Sequence, residues 1–253
     1  MAEAYVRSTL VNQTQEIEFY HPNSNSLPGE LLDEIANQIR LAGENPEVIC
    51  VLLKSGGDRA FCAGASFDEL IAIETKEAGL EFFSGFAKVI NAIRTCPKFV
   101  IGRVQGKTVG GGVGIASAVD YCFATKFAAI KLSELAIGIG PFVVGPAVER
   151  KLGKSGFTEL AIDASAWRDA SWAATRGLYM HVSDSIEQMD QEIGLFLNRI
   201  EKYSPEAMAE LKINFWEGTE HWDNLLIERA KISGRLVLSD FTRNAINAFK
   251  TKS

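Results

Sequence analysis

An apolar run that ends in three consecutive glycines, "FVIGRVQGKTVGGGVGIAS" at positions 99–117, constrains this chain more than any other stretch. Glycine has no Cβ, so Gly110, Gly111 and Gly112 let another group come close to the main chain and adopt conformations closed to other residues. If a helix begins there, its first N–H groups are unpaired and point outward. The stretch therefore predicts a backbone site for an anion or oxyanion, although such glycines can also serve only close helix packing.

A dinucleotide-binding loop is the competing interpretation of these glycines. The GxGxxG/A pattern read from Gly110 needs a small residue at Ile115, and read from Gly112 it reaches Ser117. Glu134 follows about twenty residues later, where it would imitate the acid that binds a ribose. Because neither frame of the pattern is met, a nicotinamide-cofactor site is the weaker alternative.

A second loop of small residues, "DRAFCAGASFDEL", follows the continuous apolar run "VICVLLKS", which is typical of a strand buried on both faces. Two such loops at strand ends can direct backbone N–H groups at one oxygen atom. Cys62 lies in this loop, but no histidine is near it in the sequence to lower the pKa of its thiol. We therefore interpret its side chain as a small apolar filler.

The remaining pattern alternates between strands and helices and predicts one α/β domain. Alternating runs around Asn12 predict a strand pair, Ser26 is the expected cap of the following helix, and a second helix is expected over about 76–95. From Pro146 onward we expect helices and no further strand. The predicted division places a core at residues 1–190 and a helical C-terminal region at residues 191–253.

Composition narrows the partners and the compartment. The net charge of −6 is spread without long runs of either sign, which argues against a broad nucleic-acid surface. No apolar segment is long enough to span a bilayer and no signal peptide is visible, so we expect no membrane association and a cytoplasmic location. The four cysteines lack CxxC spacing and the three histidines are scattered, so neither a metal site nor a disulfide framework is expected.

Three motifs in order, "RAFCAGAS", "VQGKTVGGGVGIASAVDYCFAT" and "KLSELAIGIGP", resemble the crotonase family, the enoyl-CoA hydratase/isomerase superfamily. The similarity covers most of the chain. It implies a spiral of ββα units that form two roughly perpendicular sheets, with a C-terminal helical region used for trimerisation. It also implies a homotrimer or hexamer that acts on an acyl-CoA, with coenzyme A as part of the substrate and no separate cofactor.

The resemblance assigns roles to individual residues. The backbone N–H groups of Cys62 and Gly111 would form an oxyanion hole for the thioester carbonyl, and Glu134 would be the acid/base. Family hydratases carry another glutamate at the position of Gly114, which has no side chain. A single carboxylate favours double-bond isomerisation from Δ3 to Δ2.

Several alternatives stay open. Hydration of a 2-enoyl-CoA is the second choice, and a hydrolase, decarboxylase or dehalogenase of the same fold is the third. A non-catalytic acyl-CoA-binding homologue is a different class again. As carboxylates, Asp68, Asp120 and Glu149 are weaker candidates than Glu134.

Other positions are expected around the substrate. Ser66 stands where many family members carry aspartate, and Phe142 brings bulk to a segment in which small residues are common. The expected pocket residues are Ala60, Ala63, Gly64, Ser66, Gly110, Gly112, Gly114 and Phe142. Arg59 matches the family's basic loop position for CoA, and Phe249 and Lys252 near the C-terminus are further candidates for that contact.

Overall fold

An antiparallel hairpin opens the chain in the computed structural model, which describes residues 3–250, with side chains up to residue 248. Strands β1 (Tyr5–Val11) and β2 (Thr14–Tyr20) pair along their whole length. Asn12 turns the chain with a positive φ of 53°, a conformation that asparagine tolerates better than most residues. The predicted strand pair is confirmed.

Three pairs of strands follow, and each pair divides between two sheets. The pairs are β3 (Cys50–Ser55) with β4 (Ala60–Cys62), β5 (Phe99–Val104) with β6 (Lys107–Val109), and β7 (Tyr121–Thr125) with β8 (Ile130–Lys131). The first strand of each pair joins a six-stranded sheet of order β1-β2-β3-β5-β7-β9, and the second joins a three-stranded parallel sheet of order β4-β6-β8. A helical segment follows every pair, so the expected spiral of ββα units is confirmed.

The helices cover both sheets. They are α1 (Gly29–Glu44), α2 (Phe67–Ile71), α3 (Lys76–Thr95), α4 (Gly111–Ala118), α5 (Gly145–Ile162), α6 (Ala170–Thr175), α7 (Ile186–Ile200), α8 (Pro205–Phe215), α9 (Trp222–Leu236) and α10 (Asp240–Lys250), with a 3-10 turn at Leu135–Ile137. Ser26 does not cap α1, because extended Pro28 occupies that position. Within residues 3–250, no helix has the length and hydropathy needed to cross a membrane.

The prediction that no strand follows Pro146 is wrong. Strand β9 (His181–Ser183) pairs with β7 at the edge of the large sheet. It has only three residues, too few to show an alternating pattern that would separate it from a loop.

Residue 190, the expected boundary, lies inside α7. The apolar side of α7, with Met189 and Ile193, packs on the large sheet against Ile101 and Phe123. The spiral core and the first C-terminal helix therefore share a hydrophobic cluster. The role of residues 191–253 in oligomerisation stays a prediction.

Helices α3 and α9 approach each other at a pair of glycines. A Cβ built on Gly79 would lie 2.7 Å from the Cα of Gly234, closer than real Cβ contacts allow. The backbones of α3 and α9 touch at Gly79 and Gly234, so there is no room for a side chain at either position. The spacing of the two helices therefore depends on both glycines.

Gly79→Ala should destabilise the protein by about 1–3 kcal/mol, since the added methyl group must push α9 away from α3. The matched control is Gly194→Ala in α7, where no atom lies within 4 Å of the new Cβ. That control should stabilise by roughly 0.5–1 kcal/mol through helix propensity. Urea unfolding at one protein concentration measures both changes, and equal effects of the two variants would contradict the close contact.

Candidate active site

The loops that leave the three strands of the small sheet meet at one edge. Carboxyl ends of parallel strands lie on the same side of a sheet, so the segments after β4, β6 and β8 are brought together. A Cβ built on Gly64 would lie 3.8 Å from the nitrogen of Gly111, and one on Gly110 would lie 3.2 Å from Oε1 of Glu134. The three sequence motifs therefore converge.

A cavity of about 170 Å³ opens at this edge. It is lined by Ala63, Gly64, Ala65, Phe67, Leu70, Phe82, Phe83, Phe86, Val109, Gly110, Gly111, Ser133, Glu134, Ile137, Ile139, Gly140, Pro141, Phe142, Val143, Val144 and Ser233. The wall is mainly apolar, and Glu134 carries the only ionisable side chain among these residues. A carboxyl group is therefore held in a setting that disfavours its charge.

Burial dominates the electrostatics of Glu134. Its Oε2 is enclosed and has no hydrogen-bond partner within the described chain, although part of the residue as a whole keeps contact with solvent. Loss of hydration raises the pKa of this carboxyl from its ordinary value of 4.5 to about 7. The group can therefore both take up and release a proton near neutral pH.

The backbone N–H groups of Gly111 and Ala65 lie on the cavity wall and lack acceptors within residues 3–250. Gly111 is the first residue of α4, where helical N–H groups have no intrahelical partner. On either side of Ala65, the carbonyl of Gly64 and the N–H of Ser66 bond to Leu27. Because successive N–H groups of an extended chain alternate in direction, the N–H of Ala65 is turned away from Leu27.

Cys62, the expected first donor, does not line the cavity. It is a fully buried residue of β4, aligned with Thr108 of β6. Burial raises the pKa of its thiol to about 12, which suits the interpretation as a filler. The sequence prediction missed Ala65; the available signal was its position directly after Gly64, whose positive φ of 91° turns the chain.

Gly114 also does not line the cavity. The side chain of Val144 occupies the space beside it. A Cβ at position 114 would lie 2.4 Å from Cγ1 of Val144, and Val144 itself lines the cavity. The valine therefore fills the volume through which a side chain from position 114 would enter. The two residues form a matched pair, small on α4 and branched at the start of α5.

The other expected pocket residues divide into two groups. Ala63, Gly64, Gly110 and Phe142 line the cavity, whereas Ala60, Ser66 and Gly112 do not. The carbonyl of Ala60 accepts hydrogen bonds from the side-chain amides of Asn25 and Gln105. Ser66 caps α2 through the N–H of Glu69, and Gly112 packs against Cys62.

The weaker carboxylate candidates lie outside the cavity. Asp120 forms a buried ion pair with Lys212 at 2.5 Å and accepts hydrogen bonds from the N–H of Val100 and the indole N–H of Trp216, so it joins α8 to β5. Asp68 and Glu149 are exposed on α2 and α5. Glu134 is thus the one candidate that faces the cavity.

The expected CoA contacts are only partly described. Arg59 is exposed directly before β4, beside Gly106. The side chain of Phe249 and all of Lys252 lie outside the described residues. Between residues 3 and 250, no group of three or more His, Cys, Asp or Glu side chains is arranged to hold a metal ion.

A small apolar cavity that holds one carboxyl and the unpaired N–H groups of Ala65 and Gly111 is chemically suited to polarising a carbonyl group beside an acid/base. A family model described as Enoyl-CoA hydratase/isomerase matches residues 11–250. The chain therefore belongs to the enoyl-CoA hydratase/isomerase family, also called the crotonase family.

Three comparisons illustrate the relationship. The crystal structure of enoyl-CoA hydratase from Bacillus halodurans superposes with a TM-score of 0.89 over 96% of this chain and 99% of that one, at 19% identity, which shows a shared fold. Mitochondrial methylglutaconyl-CoA hydratase of Mus musculus is 27% identical over 234 residues, 90% of this chain and 74% of that protein. Mitochondrial 3-hydroxyisobutyryl-CoA hydrolase of Gallus gallus is 31% identical over 137 residues, which cover 51% of this chain but only 35% of the hydrolase.

The raised pKa of Glu134 predicts a pH-dependent gain of stability in Glu134→Gln. The folded state holds the proton more tightly than the unfolded state, so the contribution of this group is fully present below about pH 4.5 and is lost as the pH rises through about 7. A shift of this size corresponds to about 3 kcal/mol. Relative to the native protein, Glu134→Gln should gain stability between pH 5 and pH 8.5.

Thermal unfolding across that pH range measures the effect. The exposed helix variant Glu149→Gln is the matched control, and its effect on stability should be small, as is usual for surface substitutions. A constant difference between Glu134→Gln and the native protein would show that the carboxyl titrates normally.

Proposed function

We propose that the protein is an enoyl-CoA isomerase that moves a double bond from Δ3 to Δ2. The observation that carries the proposal is the lone Glu134 carboxyl, held in an apolar cavity with the free N–H groups of Ala65 and Gly111. Such a site is suited to the thioester carbonyl of an acyl-CoA. The relatives whose names include CoA esters support that choice of substrate.

The two N–H groups act on the carbonyl oxygen. When the proton on C2 of a 3-enoyl-CoA leaves, negative charge develops on that oxygen, and each fixed donor can be worth roughly 3–4 kcal/mol to the transition state. The N-terminus of α4 adds the favourable end of a helix dipole at Gly111. In this assignment Ala65 takes the role first given to Cys62.

Glu134 carries the proton between two carbons. Its carboxylate accepts the proton from C2, the electron pair forms a dienolate with the C3–C4 double bond, and the protonated acid returns the proton to C4. The double bond then lies between C2 and C3, and no atom is gained or lost. A pKa of about 7 suits both halves of this exchange.

Hydration is the alternative, and the cavity wall argues against it. A two-glutamate water clamp needs a second carboxylate, but Glu134 is the only acid among the lining residues and Val144 fills the path from position 114. Loss of catalysis altogether, leaving an acyl-CoA-binding protein, would not need a carboxyl whose pKa is raised by burial.

Purified protein incubated separately with 3-hexenoyl-CoA and 2-hexenoyl-CoA tests the reaction. We expect the double bond to migrate without change of mass, and Glu134→Gln to lower kcat by about 100-fold or more through loss of the acid/base. The exposed Asp68→Asn is the matched control and should keep full activity. Addition of one water to the 2-enoyl ester would establish hydration, and unchanged turnover in Glu134→Gln would remove its catalytic role.

The Gly114 and Val144 pair offers a second test. Gly114→Glu alone should lower Tm, because the new side chain meets Val144, whereas Gly114→Glu with Val144→Gly should recover stability. If the missing carboxylate limits hydration, only the double variant should add water to 2-hexenoyl-CoA. Val144→Gly alone is the control, because it measures the effect of the space left by the valine side chain. A Gly114→Glu variant as stable as the native protein would contradict the close contact between Gly114 and Val144.

The proposal includes a homotrimer or hexamer. Apolar side chains stand out to solvent next to the cavity and on the C-terminal helices, among them Leu135, Ile227 and Phe241. Such exposed residues are suited to contact between subunits. The trimer and the cytoplasmic location stay predictions.

A further inference from the structure

Helix α3 contributes Phe82, Phe83 and Phe86 to the cavity wall. A Cβ on Gly111 would lie 2.2 Å from the ring of Phe86, so this part of α3 packs beside the oxyanion donors. At the other end, Gly79 contacts Gly234 of α9. A helix rises about 1.5 Å per residue, so positions 79 and 86 are about 10 Å apart along its axis.

The chain's own C-terminal helices close this space. Ser233, next to Gly234, is the one α9 residue on the cavity wall. Val237 and Ile246 pack in a cluster with Leu70 and Ile139, two further lining residues. The cavity of about 170 Å³ is comparable to an apolar protein cavity of about 150 Å³ that holds benzene.

Ser233 brings an unsatisfied hydroxyl to the closed end. The residue is 1% exposed and lies on the buried side of α9, and its Oγ has no hydrogen-bond partner within residues 3–250. It is not one of the fully enclosed, unpaired atoms such as Ser117 Oγ and Tyr179 OH, and the residue lines the cavity. An unpaired buried hydroxyl costs free energy that a ligand group can recover.

We propose that the cavity takes an acyl group of at most about six carbons whose far end carries a hydroxyl or carbonyl group bound by Ser233 Oγ. The limit of about six carbons comes from the cavity volume of about 170 Å³, which is close to that of a cavity filled by the six carbons of benzene. This inference rests on the proposed function in one respect, that the ligand is an acyl-CoA.

Binding of unreactive saturated esters tests the inference apart from catalysis. Calorimetry would measure Kd for butyryl-, hexanoyl-, 6-hydroxyhexanoyl- and decanoyl-CoA. We expect decanoyl-CoA to bind more weakly than hexanoyl-CoA. We also expect Ser233→Ala to reduce the preference for the hydroxylated over the plain six-carbon ester by about three- to tenfold, as one lost neutral hydrogen bond predicts.

The preference is a ratio within one variant, so it is insensitive to a general loss of folded protein. Ser84→Ala is the matched control, because Ser84 is a buried α3 serine whose hydroxyl bonds to the carbonyl of Leu80 and which does not line the cavity. It should leave the ratio unchanged. An equal effect of Ser233→Ala on both esters, or tighter binding of decanoyl-CoA, overturns the inference.

The two proposals fail in different ways. Binding of no CoA ester overturns both. A preserved ester preference in a protein that does not move double bonds overturns only the isomerase assignment.

Discussion

Parallel pairing of three very short strands determines where the chemistry of this protein can occur. Strands β4, β6 and β8 contain two or three residues each, too few to be stable alone. They are held because each directly follows a strand of the larger sheet, whose side chains form the main core. The pairing brings the N–H groups of Ala65 and Gly111 and the Glu134 carboxyl to one edge, although the three residues are far apart in the sequence.

The same arrangement of strands raises the pKa of the Glu134 carboxyl. Phenylalanines from α2, α3 and the segment before α5 line the cavity beside the carboxyl, and none of the lining residues supplies a positive charge. Gly110 makes this possible, since its positive φ of 53° and missing side chain leave the carboxyl the space beside the main chain. The cost to stability and the suitability for proton transfer therefore have one physical origin, which is desolvation.

Sequence patterns predicted the parts of the site that depend on short segments. The glycines at 110–112 indicated a backbone donor site after a strand, whereas the acid/base role of Glu134 and the ββα spiral came from the resemblance of the three motifs to the crotonase family. Ala65 could not be separated from Cys62, because the direction of an N–H group depends on the bonds that Leu27 makes with its neighbours. The contact between Val144 and Gly114 joins the start of α5 to α4, and such a contact leaves no local signal in the sequence.

In the proposed acyl site, the depth of the cavity depends on contact between helices as well as on the residues that line it. The glycine pair at 79 and 234 fixes how closely α9 lies against α3, and therefore how near Ser233 comes to the reacting end. A larger residue at either glycine would push α3 and α9 apart and so change the depth of the cavity. The two features depend mainly on different contacts: strand pairing places Glu134 and the N–H donors, and helix packing limits the depth of the cavity beside them.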